Sequence, residues 1–170
     1  MTMERKGAVQ WKGNPTDLVG PELKVGDAAP TDFTLVANDM SAVKGSDLAG
    51  KTRILCALPS IDTPVCDTEM RRFNQEAAAI PGVQVYVVSM DLPFAQKRWC
   101  GAAGIDKVKA LSDYKDRSFG PAWGVLAPAK GLHARAVFVV GADDRIKHVE
   151  YVKEVGSEPD YKKALDAARG

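Results

Sequence analysis

A short apolar run, a proline and a capped helix follow one another directly in this chain, and that succession constrains its fold more than any other feature. Residues 52–58 (TRILCAL) have the character of a covered central strand, and Pro59 ends it because proline cannot serve a central ladder. Thr63 is a good N-cap residue. Pro64, at the first helical position, gives up an N–H that has no partner there anyway. Met70, Phe73, Ala77 and Ile80 then recur at steps of three and four, which predicts one apolar helix face until Pro81-Gly82 stops it. Cys66 falls in the first turn. The positive end of the helix dipole and the free backbone donors of that turn favour thiolate over thiol, so the stretch reads as a reactive site.

The rest of the chain supplies a sheet around this unit. Residues 83–90 (VQVYVVSM) read as a second buried strand, 93–103 as a helix with Pro93 near its start, and 108–111 as a short strand. Strands at 134–140 and 146–152 flank Gly141-Ala142-Asp143-Asp144, a hairpin turn signal, and 159–168 make a last helix. Upstream, 33–37 read as a strand and 39–50 as a polar connection. At the N-terminus, 8–11 and 16–19 flank the turn-forming group Lys12-Gly13-Asn14-Pro15, which predicts a small accessory hairpin. This order argues for an α/β fold, a mixed central sheet with helices on both faces. At 170 residues the chain suits a single domain over 1–170, with 1–20 as its hairpin extension.

A formal net charge of +1 gives no bias towards nucleic acid or an anionic membrane surface. No apolar signal core follows the polar residues 1–6, and no run approaches the roughly 20 apolar residues that span a bilayer, so the cytoplasm is the expected compartment. Three cysteines are too few and too scattered for a disulfide scaffold, which favours redox or catalytic use.

Pro59, Thr63 and Cys66 fit the pattern Pro-x-x-x-Thr-x-x-Cys, and the longer string PSIDTPVCDTEMRRFN resembles the thiol peroxidase branch of the peroxiredoxins. The N-terminal hairpin, SDYKDRSFG and GLHARAVFVV carry the likeness over nearly the whole chain. It implies a thioredoxin-like fold and a peroxidase that needs no cofactor and no metal. Cys66 would attack hydrogen peroxide or an organic hydroperoxide, and Cys100 would resolve the resulting sulfenic acid as an intramolecular disulfide. Thioredoxin or a similar dithiol would reduce that bond again, and the protein would be a homodimer.

The chemistry asks for more than a thiol. A free cysteine of pKa about 8.5 is about 3% thiolate at pH 7, so lowering it to about 6 gains roughly thirtyfold, or about 2 kcal/mol. Enzymes commonly supply at least about 8 kcal/mol, so the peroxide must also be oriented and its departing oxygen stabilised. Thr63 offers a hydroxyl for this, and Pro59 and Pro64 shape and shield the loop. Asp62, Asp67 and Glu69 oppose the thiolate, so a fixed cation is required. Arg135 is the choice, near the start of a central strand and at the position where the resemblance implies a catalytic arginine. Arg71 and Arg72 read as a surface pair.

Cys56, inside the apolar run, reads as core packing. His133, two residues before Arg135, would share its strand face, yet reads as a satisfied or solvated histidine; Trp11, Trp99 and Trp123 read as core or interface residues, and Phe94, Trp99 and Trp123 can help line an apolar peroxide pocket. A non-catalytic peroxide sensor or a disulfide-exchange binding module remains the alternative, since it too needs a poised cysteine and a second thiol. No Cys-x-x-Cys is present, and the cysteines and histidines lack metal-pair spacing.

Overall fold

The computed structural model describes residues 3–77 and 79–170. β5 (Arg53–Ala57) is buried at every residue because both of its edges and both of its faces are covered. It pairs in parallel with β6 (Gln84–Ser89) on one side and antiparallel with β10 (Ala136–Val140) on the other. β7 (Val108–Ser112) continues the parallel run, and β3 (Thr34–Ala37), β4 (Ala42–Lys44) and β11 (Ile146–Tyr151) complete a seven-stranded mixed sheet of order β11-β10-β5-β6-β7-β3-β4.

Alternation along β5 divides the interior. Ile54 and Cys56 face one core cluster, and Leu55 and Ala57 face the other. The first cluster is covered by α1 (Pro64–Ala77), α2 (Pro93–Ala103) and α4 (Tyr161–Arg169), with Phe73 and Tyr161 meeting edge-on at 5.3 Å between ring centroids. Such a pair contributes about 0.5–1.5 kcal/mol beyond its buried area. Both crossovers, β5 to β6 and β6 to β7, step the same way across the sheet, so right-handed connections put α1 and α2 on one face. The opposite face carries less helix. It is closed by the short α3 (Phe119–Trp123), a 3-10 turn at Gly45–Leu48 and a ring of aromatics, with Trp123 stacked on Phe119 and against Phe138.

The N-terminal hairpin is longer than its sequence suggests. β1 (Glu4–Trp11) and β2 (Asn14–Val19) join through Lys12 and Gly13 alone, both at positive φ, and Trp11 pairs with Asn14. A two-residue turn of that hand matches the twist of the strands, so Asn14 and Pro15 belong to the ladder. Pro15 is tolerated because the carbonyl of its partner Gln10 needs no donor from it, accepting instead from the Val155 amide at 2.9 Å.

Two further strands, β8 (Leu126–Ala127) and β9 (Leu132–His133), extend the hairpin into a second sheet of order β1-β2-β8-β9. This breaks the strand expected over 134–140. His133 pairs with Leu126 in the small sheet, β10 begins at Ala136, and Ala134 and Arg135 form the link between sheets. His133 and Arg135 therefore share no strand face; the His133 Nε2 lies 2.9 Å from Asp113 Oδ2, and Asp113 also accepts the Phe119 and Gly120 amides at the start of α3.

Candidate active site

β5 ends at Ala57, and the chain turns through buried Leu58 and Pro59 into the loop that starts α1. The Thr63 hydroxyl accepts from the Cys66 amide at 3.4 Å and donates to the Ser60 carbonyl at 3.2 Å, so the cap both starts the helix and closes the loop. Asp91, just beyond β6, fastens the same loop. Its carboxylate accepts from Ser60 Oγ at 2.7 Å and from the Ile61 amide at 2.9 Å. The two meet because β5 and β6 are adjacent parallel strands whose C-terminal ends lie side by side.

Cys66 is fully buried, and Arg135 Nη1 donates to its sulfur at 3.1 Å. The same nitrogen donates to Glu69 Oε2 at 2.7 Å, while Arg135 Nε donates to the Val155 carbonyl at 2.8 Å. Glu69 lies one helical turn after Cys66 and is equally buried, and its Oε1 has no partner among the described residues. Burial pushes its carboxyl up to about 7, against the opposing pull of Arg135. Burial works to lower the pKa of Arg135, but Glu69 and the Cys66 sulfur more than offset it, so the guanidinium stays charged. One cation thus serves two acidic groups in a site without solvent. When Glu69 takes a proton, more of the Arg135 field is left for the sulfur.

Cys100 lies in the last turns of α2, half-buried against the same core cluster as Cys66, and burial pushes its thiol up. Cys56, Cys66 and Cys100 are all free thiols. Cys56 is fully buried in β5, where desolvation holds its thiol well above the ordinary value. α2 is fastened to α1 by few contacts: Trp99 Nε1 donates to Asp67 Oδ1 at 3.1 Å, and Arg71 Nη1 donates to the Ala103 carbonyl at 3.1 Å. A groove of about 310 Å³ runs between the Ser60–Asp62 loop and the Ala95, Trp99 and Ala102 side of α2.

Residues 24–165 match the redoxin family. The chain is 54% identical to a thiol peroxidase of Halalkalibacterium halodurans over 95% of this chain and 97% of that one. It is 50% identical to a thiol peroxidase of Bacillus subtilis over 95% and 96%. This chain belongs to the thiol peroxidase family. A peroxiredoxin-like protein from Aquifex aeolicus has the same fold, with a TM-score of 0.88 and 40% identity over 96% of each chain.

For this thiol peroxidase family member, sequence reasoning named Pro59, Thr63, Cys66 and Arg135, and the fold gathers all four at one end of β5. Cys100 lies nearby on α2 without bonding to Cys66. Arg71 and Arg72 make exposed pairs with Asp67 and Glu76 and do not reach the sulfur. Of the three aromatics, Trp99 alone lines the groove; Phe94 is 67% exposed, and Trp123 packs into the opposite face of the sheet. The sequence reading missed Glu69 as the partner of Arg135 and Asp91 as the loop anchor. The signal for Glu69 was present, since a carboxylate three residues after Cys66 sits on the same helix face, beside buried Met70. Asp91 had no signal beyond its place after a strand.

Proposed function

We propose that Cys66 is the peroxide-reacting thiol of this thiol-dependent peroxidase and that Cys100 resolves it. The observation that carries the reading is the 3.1 Å contact from Arg135 Nη1 to the Cys66 sulfur in a site closed to water. The Cys66 thiolate attacks one oxygen of the hydroperoxide. The O–O bond breaks, the sulfur becomes a sulfenic acid, and the second oxygen leaves as water or an alcohol after taking a proton. Arg135 and the amides of the first turn of α1 stabilise the departing oxygen, and the Thr63 hydroxyl, released from Ser60, orients the peroxide. Pro59 holds the loop under the sulfur.

The Cys100 thiol then displaces hydroxide from the sulfenic sulfur, forming a disulfide and water, and a dithiol such as thioredoxin returns both cysteines to thiols. This requires α2 to unwind at its end. Only Pro93 and Gln96 of α2 are buried, and its C-cap Gly104 adopts the left-handed conformation at φ 67°, so the last turns of α2 are the part that yields.

The groove beside Trp99 suits organic hydroperoxides as well as hydrogen peroxide. Exposed Leu92 and Phe94 at the start of α2 offer an apolar face to a second copy, which supports a homodimer. We read the whole chain as one domain acting in the cytoplasm; no helix among the described residues is long and apolar enough to cross a membrane.

Stopped-flow fluorescence with cumene hydroperoxide tests the reading. The unaltered chain and Cys100→Ser should give the same fast first phase, and Cys66→Ser should give none. A fast phase in Cys66→Ser would refute the assignment.

A further inference from the structure

Arg135 is held at both ends by one short segment. Val152 N–H donates to the Arg135 carbonyl at 3.0 Å, and the Val155 carbonyl accepts from Arg135 Nε at 2.8 Å. Val152 continues the β10–β11 pairing by one bond, and beyond it the segment has left the central sheet. The N-terminal hairpin fixes it instead. Gln10 N–H donates to the Lys153 carbonyl at 2.6 Å, and Val155 N–H donates to the Gln10 carbonyl at 2.9 Å. Between those bonds, the Glu154 carboxylate reaches across to the hairpin turn, accepting from the Lys12 amide at 2.9 Å and the Gly13 amide at 3.2 Å.

Lys12 is at φ 50°, a conformation that a residue with a side chain adopts reluctantly. Glu154 supplies acceptors for the two amides that this tight turn would otherwise leave to water. Beneath it, the Val155 side chain packs with Val9 and Leu18 of the hairpin and with Ala134, the residue before Arg135. Ala134 in turn donates to the Val125 carbonyl at 2.8 Å. The hairpin thus grips the residue before Arg135 and the strap that orients its guanidinium.

We propose that Glu154 is a positioning residue for the peroxidase reaction, and that the β1–β2 hairpin it clasps aims Arg135 at Cys66. Glu154 acts through the chain Lys12 and Gly13, Glu154, Val155, Arg135, and touches no reacting atom. The hairpin is therefore part of the catalytic machinery, not an appendage that stabilises the sheet alone. The inference rests on Arg135 serving the Cys66 reaction.

The test is a double-mutant cycle in the full chain, with Glu154→Ala, Arg135→Ala and the pair, read by the rate at which Cys66 reacts with hydrogen peroxide. Glu154→Ala should slow the reaction about tenfold, the scale of loss when a reacting group is displaced from a distance. In the Arg135→Ala background the same substitution should cost less than about twofold, because there is nothing left to aim. A second readout follows the Arg135 Nε–H resonance, identified by its loss in Arg135→Ala. Its exchange with solvent should speed up at least about tenfold in Glu154→Ala as the bond to Val155 loosens. If Glu154→Ala does not fold, Glu154→Gln, which keeps one acceptor oxygen, carries the same comparison with an expected loss of about threefold. A rate in the Glu154 variant within about twofold of the unaltered chain, or equal losses in both backgrounds, overturns the inference while leaving Arg135 in its role. A normal rate in Arg135→Ala alone overturns the role of Arg135 itself.

Discussion

The Nη1 nitrogen of Arg135 stands 3.1 Å from the Cys66 sulfur, and neither side chain is open to solvent. In such surroundings a fixed charge acts with little screening, so the position of that nitrogen matters more than the net charge of the site. Arg135→Lys keeps the charge and loses the fork that reaches Cys66, Glu69 and Val155 together. The variant should react with peroxide about a hundredfold more slowly, near the loss expected for one donor to a developing oxyanion. Stopped-flow rates over a range of peroxide concentrations measure this directly.

Glu69 ties the site to pH through stability. Its carboxyl is raised from the ordinary 4.5 to about 7 in the folded protein, chiefly by burial. Between those values the folded chain holds the proton more tightly than the unfolded chain does, so stability contributed by this group is present below about pH 4.5 and is lost as pH rises towards 7. Each unit is worth about 1.4 kcal/mol, which makes the interval about 3 kcal/mol. Glu69→Gln does not titrate. Urea unfolding at pH 5 and pH 8 should show the unaltered chain losing about 2.5 kcal/mol more than the variant, since part of the interval lies below pH 5, and equal losses would contradict the assignment.

Thr63 carries two duties on one hydroxyl. Thr63→Val removes the cap on Cys66 N–H and the donor to the Ser60 carbonyl, and should cost about 0.5–2 kcal/mol of stability as well as most of the peroxide rate. Thr63→Ser keeps the hydroxyl and should retain both. Thermal melts and peroxide kinetics on the two variants test whether the hydroxyl carries both duties; loss of either property in Thr63→Ser would contradict it.

Oxidation should loosen α2. The Cys66–Cys100 bond requires Cα atoms within about 7 Å, and Cys100 now sits inside a formed helix. Amide hydrogen exchange over residues 92–105 should be faster in the oxidised chain than in the reduced one. Equal protection in both would mean that the disulfide forms without unwinding.

Much of this was legible in the sequence because local rules and the fold agree there. The apolar run ending at Pro59, the Thr63-Pro64 start of α1 and the spacing of Met70, Phe73 and Ala77 all describe one element, and tertiary packing reinforces it. β4, β8, β9 and α3 were not legible. They have two to five residues each, too short for a period, and β8 and β9 exist because the hairpin lies beside them. The position of His133 was lost with them, since continuing the expected 134–140 strand back by one residue puts it with Arg135, whereas the switch between sheets turns it to Asp113. The site divides in the same way. Cys66 and Thr63 are close in sequence, whereas the strap at Val152–Val155 and the Glu154 clasp join residues more than a hundred positions from the hairpin.

One measurement bears most directly on the central claim, that Cys66 and Cys100 form one peroxide-driven redox pair. Free thiols are counted and disulfides mapped by peptide mass before and after one equivalent of cumene hydroperoxide. Loss of two thiols with a Cys66–Cys100 link, leaving Cys56 free, is the predicted result. Retention of both thiols, or a link that includes Cys56, would contradict it.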